Sequence, residues 1–208
     1  FWLSMSTASG AIWYTLDGSD PRASDGSVNA ASANRYSGPI WITRSTHVKA
    51  RALSGSTWSA LNEAVYAVGP VAENLRITEI MYRPAASPGA DEPNEEFIEL
   101  ANIGSQTINL NLVHFTKGID FTFGDIDLAP GEFLLLVEDI NAFTARYGPS
   151  APIAGQYKGK LANGGERIEL CDALGNTILS FIYKDGWYDQ TDGQGFSLTI
   201  RASANIED

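Results

Sequence analysis

The residues of this sequence best suited to chemistry are acidic side chains on two predicted neighbouring strands: Glu79, Glu95, Glu96 and Glu99. Two carboxyl groups on opposite sides of a cleft could serve as general acid and base in glycoside hydrolysis. That role requires burial to raise the pKa of one of them, whereas a solvated acidic face has no such requirement. Because carboxyl groups with a strongly shifted pKa are exceptions, we favour the solvated acidic face. A hydrolase is therefore the least favoured function.

Nucleophilic catalysis has little support in the sequence. His47 and His114 lie in strand-like patterns without a serine and a carboxylate at the spacing of a triad, and no G-x-S-x-G motif occurs. Cys171 is the single cysteine, which excludes an intrachain disulfide, and its RIELCD context indicates a small buried side chain rather than a reactive thiol. We therefore predict that the protein is not an enzyme.

Oxygen-rich turns are the candidate metal site. Asp17 and Asp20 crowd one predicted turn, and Asp91 and Glu95 lie in a longer polar loop. Carboxylate and carbonyl oxygens are the ligands of Ca²⁺, but neither stretch has EF-hand spacing, and an Asp-Gly pair is explained by the turn itself. Structural calcium at these four residues stays a minor alternative, and no other cofactor is expected.

Exposed aromatic side chains are the candidate binding surface. Alternation along two predicted strands points two tryptophans away from the core, beside basic residues of the same predicted sheet, and a second aromatic pair lies in a loop. Such rings can stack on sugars, but exposed apolar patches more often mark contacts with protein, which we favour. The candidate binding residues are Trp13, Trp41, Lys49, Arg51, Trp187 and Tyr188.

Charge and hydropathy limit the partners. The net charge of -11 argues against nucleic acid, because phosphate contacts need a basic face. The longest apolar run, residues 133–137, is too short to insert in a membrane.

The charge is distributed unevenly along the chain, which has 14 basic and 25 acidic residues in total. Residues 1–70 contain five basic and four acidic residues, and the rest of the chain contains nine basic and 21 acidic residues. This step from about +1 to -12 predicts a domain boundary near residue 70.

Short alternating segments separated by turns predict an all-β fold of two sandwich modules in tandem. The 208 residues contain 20 glycines and nine prolines, which suits many short strands joined by turns. A short helix is predicted at residues 140–147, where two aromatic residues lie four positions apart. Residues 172–175 predict a hairpin, and residues 69–74 a linker.

The first predicted module, residues 1–69, contains the segments IWYTLDGSDPR, YSGPIWI, THVKARAL and GSTWSALNEAVYAV. Together they resemble the C-terminal β-module of chitobiases and hexosaminidases. The resemblance implies a small accessory sandwich that is distinct from a catalytic barrel. Members of that family usually begin with a further strand, so we expect a chain truncated before Phe1, with an open sheet edge.

The second predicted module, residues 75–203, contains LRITEIMYRP, NEEFIEL, LAPGEFLLLV, LANGGERIELCDALGNTI and DGQGFSL. In combination these segments resemble a lamin tail domain, which implies an immunoglobulin-like sandwich. Bacterial members are accessory domains of secreted or surface proteins, and neither family has assigned catalytic residues.

The expected function is therefore attachment or spacing within a larger secreted or cell-surface bacterial protein. The expected partner is a protein or a polysaccharide at the cell surface. Carbohydrate binding through exposed tryptophans is the alternative function, and the sequence gives no indication of the oligomeric state.

Overall fold

The computed structural model describes residues 1–86 and 93–200. It divides the chain into two compact units, Phe1–Gly69 (unit 1) and the residues from Pro70 onward (unit 2). Both units consist mainly of β-strands arranged in several sheets, so the predicted all-β class is confirmed.

Unit 1 is built on a five-stranded antiparallel sheet. The strands of unit 1 as a whole are β1 (Trp2–Leu3), β2 (Ala11–Thr15), β3 (Asn34–Arg35), β4 (Ile40–Trp41), β5 (Thr46–Ser54), β6 (Thr57–Trp58) and β7 (Asn62–Tyr66). The main sheet has the order β3-β2-β5-β6, with β7 also paired to β5, while β1 and β4 form a separate pair. The long central strand β5 therefore holds most of the unit together.

The core of unit 1 is small, with Ile12, Ile42 and Val48 as its buried apolar side chains. The predicted alternation of β2 holds for Ile12 but is wrong for Leu16, which is exposed. The strand ends one residue earlier, because the buried Thr15 hydroxyl donates to the Ser19 carbonyl at 2.6 Å and turns the chain.

The described part of unit 2, residues 70–86 and 93–200, contains ten strands and two helices. Its elements are α1 (Val71–Asn74), β8 (Leu75–Met81), β9 (Phe97–Asn102), β10 (Ile108–Asn109), β11 (His114–Lys117), β12 (Asp127–Leu128), β13 (Phe133–Val137), α2 (Ile140–Tyr147), β14 (Ile153–Gln156), β15 (Arg167–Cys171), β16 (Thr177–Ile182) and β17 (Leu198–Thr199). Two 3₁₀ turns, Asp185–Trp187 and Asp189–Thr191, precede β17.

Two sheets of unit 2 enclose one apolar core. The larger sheet has the order β14-β13-β9-β8-β17, and the smaller has the order β11-β15-β16. Leu100 and Leu136 from the larger sheet share a single buried cluster with Ile168 and Leu170 from the smaller one. This arrangement is a β-sandwich, as the sequence predicts, and β15 and β16 form the predicted hairpin.

The larger sheet is also covered on its outer face, by helix α2. Phe143 of the helix packs edge-on against Phe97 at a ring distance of 5.6 Å, in a cluster with Leu135 and Val137. Burial on both faces explains why β13 is apolar throughout instead of alternating. The helix predicted at residues 140–147 is confirmed, with Asp139 capping its N-terminus.

The segment predicted as a linker, residues 69–74, differs from the prediction. Val71–Asn74 form a single helical turn, and Val71 is buried in the core of unit 2. Val71, the one β-branched residue in GPVAEN, was the available signal. None of the helices in the described part of the chain is long and apolar enough to cross a membrane.

Candidate functional site

The turn that follows β2 uses its carboxylates to organise the backbone. Asp17 accepts hydrogen bonds from the amide and hydroxyl of Ser19 at 2.9 and 2.6 Å, and these bonds lower the pKa of Asp17. Gly18 has φ +76, and an added Cβ would lie 2.7 Å from the His47 ring. The Asp-Gly pair is thus required by the turn geometry.

Asp20 forms a two-pronged ion pair with Arg51 of β5. The guanidinium donates from Nε at 2.8 Å and from Nη2 at 2.7 Å, and its third nitrogen donates to the Ser59 carbonyl. The Arg51 hydrogen bonds lower the pKa of Asp20 to about 2. This pair ties the turn to the central strand, so both residues have a structural role.

Glu95 connects the loop before β9 to helix α2. Its carboxylate accepts from Arg146, whose guanidinium also donates to the Ala85 carbonyl at 2.8 Å. Asp91 lies outside the described residues. Within residues 1–86 and 93–200, no group of three or more His, Cys, Asp or Glu side chains could hold a metal ion. Calcium at these carboxylates stays a prediction.

Glu96 has the most unusual environment of the acidic residues. It is only 1% exposed, and its Oε2 accepts from the Tyr157 hydroxyl at 3.0 Å and from the Leu161 amide at 2.7 Å. Its other oxygen, Oε1, is buried and has no hydrogen-bond partner among the described residues. The carboxyl group therefore connects the start of β9 to the segment after β14, and only one of its two oxygens accepts hydrogen bonds from the described residues.

A second carboxyl group lies near Glu96. Glu138 follows β13, and its amide donates to the Glu96 carbonyl at 3.0 Å. Oε2 of Glu138 is also buried without a partner among the described residues, and the Lys160 ammonium lies 3.9 Å from Oε1. Burial, and then the charge of Glu138, raise the pKa of Glu96 to about 7. Burial likewise raises the pKa of Glu138 and of Tyr157.

The raised pKa would suit a general acid, but Glu96 cannot reach a substrate while it is 1% exposed. The sequence predicts a solvated acidic face, and for Glu96 that prediction is wrong. In FIEL, Ile98 and Leu100 face the core, and a period of two places Glu96 on the same face. This two-residue period was the sequence feature from which the burial of Glu96 could have been predicted.

Glu79 and Glu99 lie on the paired strands β8 and β9, as predicted, and are opposite each other in the register. Thr78 donates its hydroxyl to Glu99 at 2.6 Å, and Ser197 donates its hydroxyl to Glu79. Glu99 therefore accepts a hydrogen bond from a side chain of β8, and Glu79 accepts one from the residue that precedes β17.

The predicted tryptophan pair does not share a sheet. Trp13 is half-buried on β2, opposite Arg35 and Arg51, whereas Trp41 is 55% exposed on β4. The ring beside Trp41 is Trp2, which is 65% exposed, with the ring centroids 5.0 Å apart. Sequence reasoning missed Trp2, although it lies in an apolar N-terminal stretch.

The other candidate side chains have structural partners. Lys49 and His47 both contact the Glu63 carboxylate, at 3.4 and 3.2 Å. His114 Nδ1 lies 3.0 Å from the Leu112 carbonyl, and Cys171 is buried, as predicted. Each of these side chains has a contact that accounts for its position.

A groove of about 420 Å³ lies on unit 1, lined in part by Leu3, Ile12, Ala50, Glu63 and Tyr66. Glu63 is the single carboxylate among the residues that line it, and the His47 and Lys49 contacts lower the pKa of Glu63.

The second aromatic pair, Trp187 and Tyr188, is exposed as predicted. Trp187 ends the first 3₁₀ turn with 49% of its surface exposed, and Tyr188, which follows, is 54% exposed. Asp185 and Asp189 flank the two rings in the sequence. The loop thus presents aromatic and acidic side chains together.

Each unit matches the model of a known family. Residues 2–61 match the model of a family described as Fn3 associated, and residues 70–185 match the model of the Lamin Tail Domain. The predicted lamin-tail resemblance is confirmed, while the chitobiase-like resemblance of the first module stays a prediction. No curated protein matches the chain.

One crystal structure is similar, that of a DUF4876 family protein from Bacteroides thetaiotaomicron VPI-5482, at 14% sequence identity. The match covers 62% of this chain and 45% of that one, with a TM-score of 0.28, which is too low to support any conclusion. The chain thus spans less than half the length of that protein. Because the lamin tail model covers more than half of the 208 residues, the chain belongs to the lamin tail domain family.

Proposed function

We propose that this chain is a non-catalytic attachment or spacer region of a larger secreted or cell-surface bacterial protein. The observation that carries the proposal is the set of exposed aromatic side chains held on ordered backbone in each unit: Trp2, Trp41, Trp187 and Tyr188. Large exposed aromatic groups are costly for solubility and are characteristic of surfaces that bind other molecules.

The state of the acidic residues supports a binding role over a catalytic one. Glu96 has the raised pKa that general acid catalysis needs, but it is buried. Asp20 and Glu95 are occupied by ion pairs with arginines. The family match and the resemblance of residues 1–68 to a chitobiase accessory module agree with this proposal.

The experiment is co-sedimentation of the purified chain with isolated bacterial cell envelopes. We expect the wild-type chain to sediment and a Trp187→Ala, Tyr188→Ala variant or a Trp2→Ala, Trp41→Ala variant to sediment less. Phe133→Ala, which removes an exposed ring elsewhere, is the matched control and should sediment normally. Equal sedimentation of all variants would contradict the proposal, and so would turnover of a glycoside or phosphate substrate that Glu96→Gln abolishes.

Carbohydrate binding is the second candidate, and the Trp2–Trp41 pair favours it. The two rings are held by antiparallel pairing of β1 with β4. The Phe1 amino group donates to the Ile42 carbonyl at 3.1 Å, and the Ile42 amide donates to the Phe1 carbonyl at 2.9 Å. Isothermal titration with soluble polysaccharides is the test. Loss of binding in Trp41→Ala, with binding retained in Trp187→Ala, would support a sugar site on unit 1. A glycan panel that gives no response with the wild type would exclude it.

A further inference from the structure

The loop of residues 185–189, which we call the aromatic loop, combines two exposed rings with two flanking carboxylates. Trp187 and Tyr188 make no ring–ring contact with other aromatic groups of the described chain, in contrast to Trp2 and Trp41, which contact each other. Asp185 accepts a hydrogen bond from the Gly186 amide, and both aspartates are exposed. The loop therefore offers unpaired aromatic faces in a locally acidic setting.

The aromatic loop is held in place from its C-terminal side. The buried Thr191 hydroxyl donates to the Tyr188 carbonyl at 2.8 Å and lies 3.1 Å from the Tyr82 hydroxyl, which is also buried. Asp192 pairs with Arg83 at 2.6 Å, immediately after strand β8. These contacts join the loop to the core of unit 2, so a ligand would meet a preorganised surface.

Charge identifies the kind of ligand. Arg83 neutralises Asp192, which leaves Asp185 and Asp189 against Lys184 within the segment, in a part of the chain with a net charge of about -12. An aromatic face attracts a cation through its quadrupole, and a nearby carboxylate strengthens that attraction. A neutral sugar can donate its hydroxyl groups to the carboxylates but carries no charge complementary to them, and an acidic partner would be repelled.

We propose that the aromatic loop binds an arginine or lysine side chain of a basic segment on a protein partner. The cation would lie on the Trp187 or Tyr188 ring, with Asp185 and Asp189 as its counter-charges. This inference rests on the proposed attachment function and names the partner chemistry for one of its surfaces.

The experiment is an NMR titration of the full chain with an acetylated, amidated peptide of alternating glycine and arginine. The indole N–H signal of Trp187 and the amide of Tyr188 should shift with saturation. Trp187→Ala should weaken binding about two- to fivefold, as expected for loss of a cation–π contact at an exposed site. Replacing both aspartates, in Asp185→Asn, Asp189→Asn, should weaken it severalfold and reduce its salt dependence. Phe133→Ala, which removes an exposed ring outside the loop, is the matched control and should bind normally.

The outcomes separate this inference from the proposed function. Equal shifts with a glycine–glutamate peptide, unchanged affinity in both Trp187→Ala and Tyr188→Ala, or no shift at all would overturn the cation site. If the chain still sediments with cell envelopes in any of those cases, attachment stands and only the partner chemistry is wrong. A response of the loop to a neutral chito-oligosaccharide instead would assign it to sugar. Tyr188→Ala, at an exposed position, provides a second variant should Trp187→Ala not fold.

Discussion

Glu96 should make the stability of unit 2 fall as the pH rises from acidic to neutral values. Its carboxyl group is buried between β9 and the segment that contains Tyr157 and Leu161. Burial, with the charge of Glu138, raises its pKa from 4.5 to about 7. A group whose pKa is higher in the folded state binds its proton more tightly there. Its protonation therefore stabilises the fold below pH 4.5, and this contribution is lost as the pH rises to about 7.

The size of the effect follows from the shift in pKa. Each pKa unit corresponds to about 1.4 kcal/mol, so the rise of Glu96 from 4.5 to about 7 corresponds to about 3 kcal/mol of unfolding free energy. Water screens this free-energy contribution little, because the Glu96 side chain is only 1% exposed.

Glu96→Gln removes the titration and keeps the shape of the side chain. The amide oxygen can still accept from Tyr157 and Leu161, and the amide nitrogen takes the place of the unpartnered Oε1. At pH 4 the variant and the wild type should be similar in stability. At pH 8 the variant should be more stable, with the difference growing by about 3 kcal/mol across this range.

The assay is urea unfolding at pH values from 4 to 8, followed through the NMR methyl signals of Leu100 and Leu136. Both residues are in the core of unit 2, so their signals report its unfolding alone. Leu170→Ala, in the same core, is the control, because it creates a cavity without removing a titrating group or a reporter methyl group. It should lower the unfolding free energy by about 2–5 kcal/mol at every pH.

The reasoning would be refuted if wild type and Glu96→Gln showed parallel stability curves across the range. It would also be refuted if the variant were the less stable protein at pH 8. Either result would mean that burial does not raise the pKa of Glu96 in the folded state.

Three smaller predictions concern local structure. Asp139→Ala removes the hydrogen bond from the Ala142 amide and should destabilise helix α2 by about 1 kcal/mol, seen as faster hydrogen exchange of Phe143; unchanged exchange would contradict the cap. Gly18→Ala forces a Cβ into a left-handed turn against His47 and should lower the thermal midpoint of unit 1, followed by tryptophan fluorescence; an unchanged midpoint would contradict it. Arg51→Lys replaces the forked contact with a single charge and should raise the pKa of Asp20 from about 2 toward 3.8 in a carboxyl ¹³C titration; a pKa that stays near 2 would contradict the assigned cause.

The local pattern of the sequence predicted most of the elements. Alternation and turn residues indicate β2, β5, β8 and the hairpin of β15 and β16, because the side-chain period of a strand is a property of a few adjacent residues. The aromatic spacing of residues 140–147 likewise predicted α2.

The candidate sites were less predictable, because their environments come from distant parts of the chain. Glu96 receives its two hydrogen bonds from residues 61 and 65 positions further on. Trp41 has Trp2 as its ring partner, 39 positions earlier, and not the nearer Trp13. Such contacts depend on strand order, which one sequence does not specify.

The sequence by itself determined the all-β class, the acidic character and the lamin-tail pattern, since all three follow from composition and short-range spacing. Only the tertiary structure decided which carboxyl group is desolvated and which aromatic rings remain exposed. Burial depends on the way in which sheets and loops close over each side chain, and that closure also determines the charge state of Glu96.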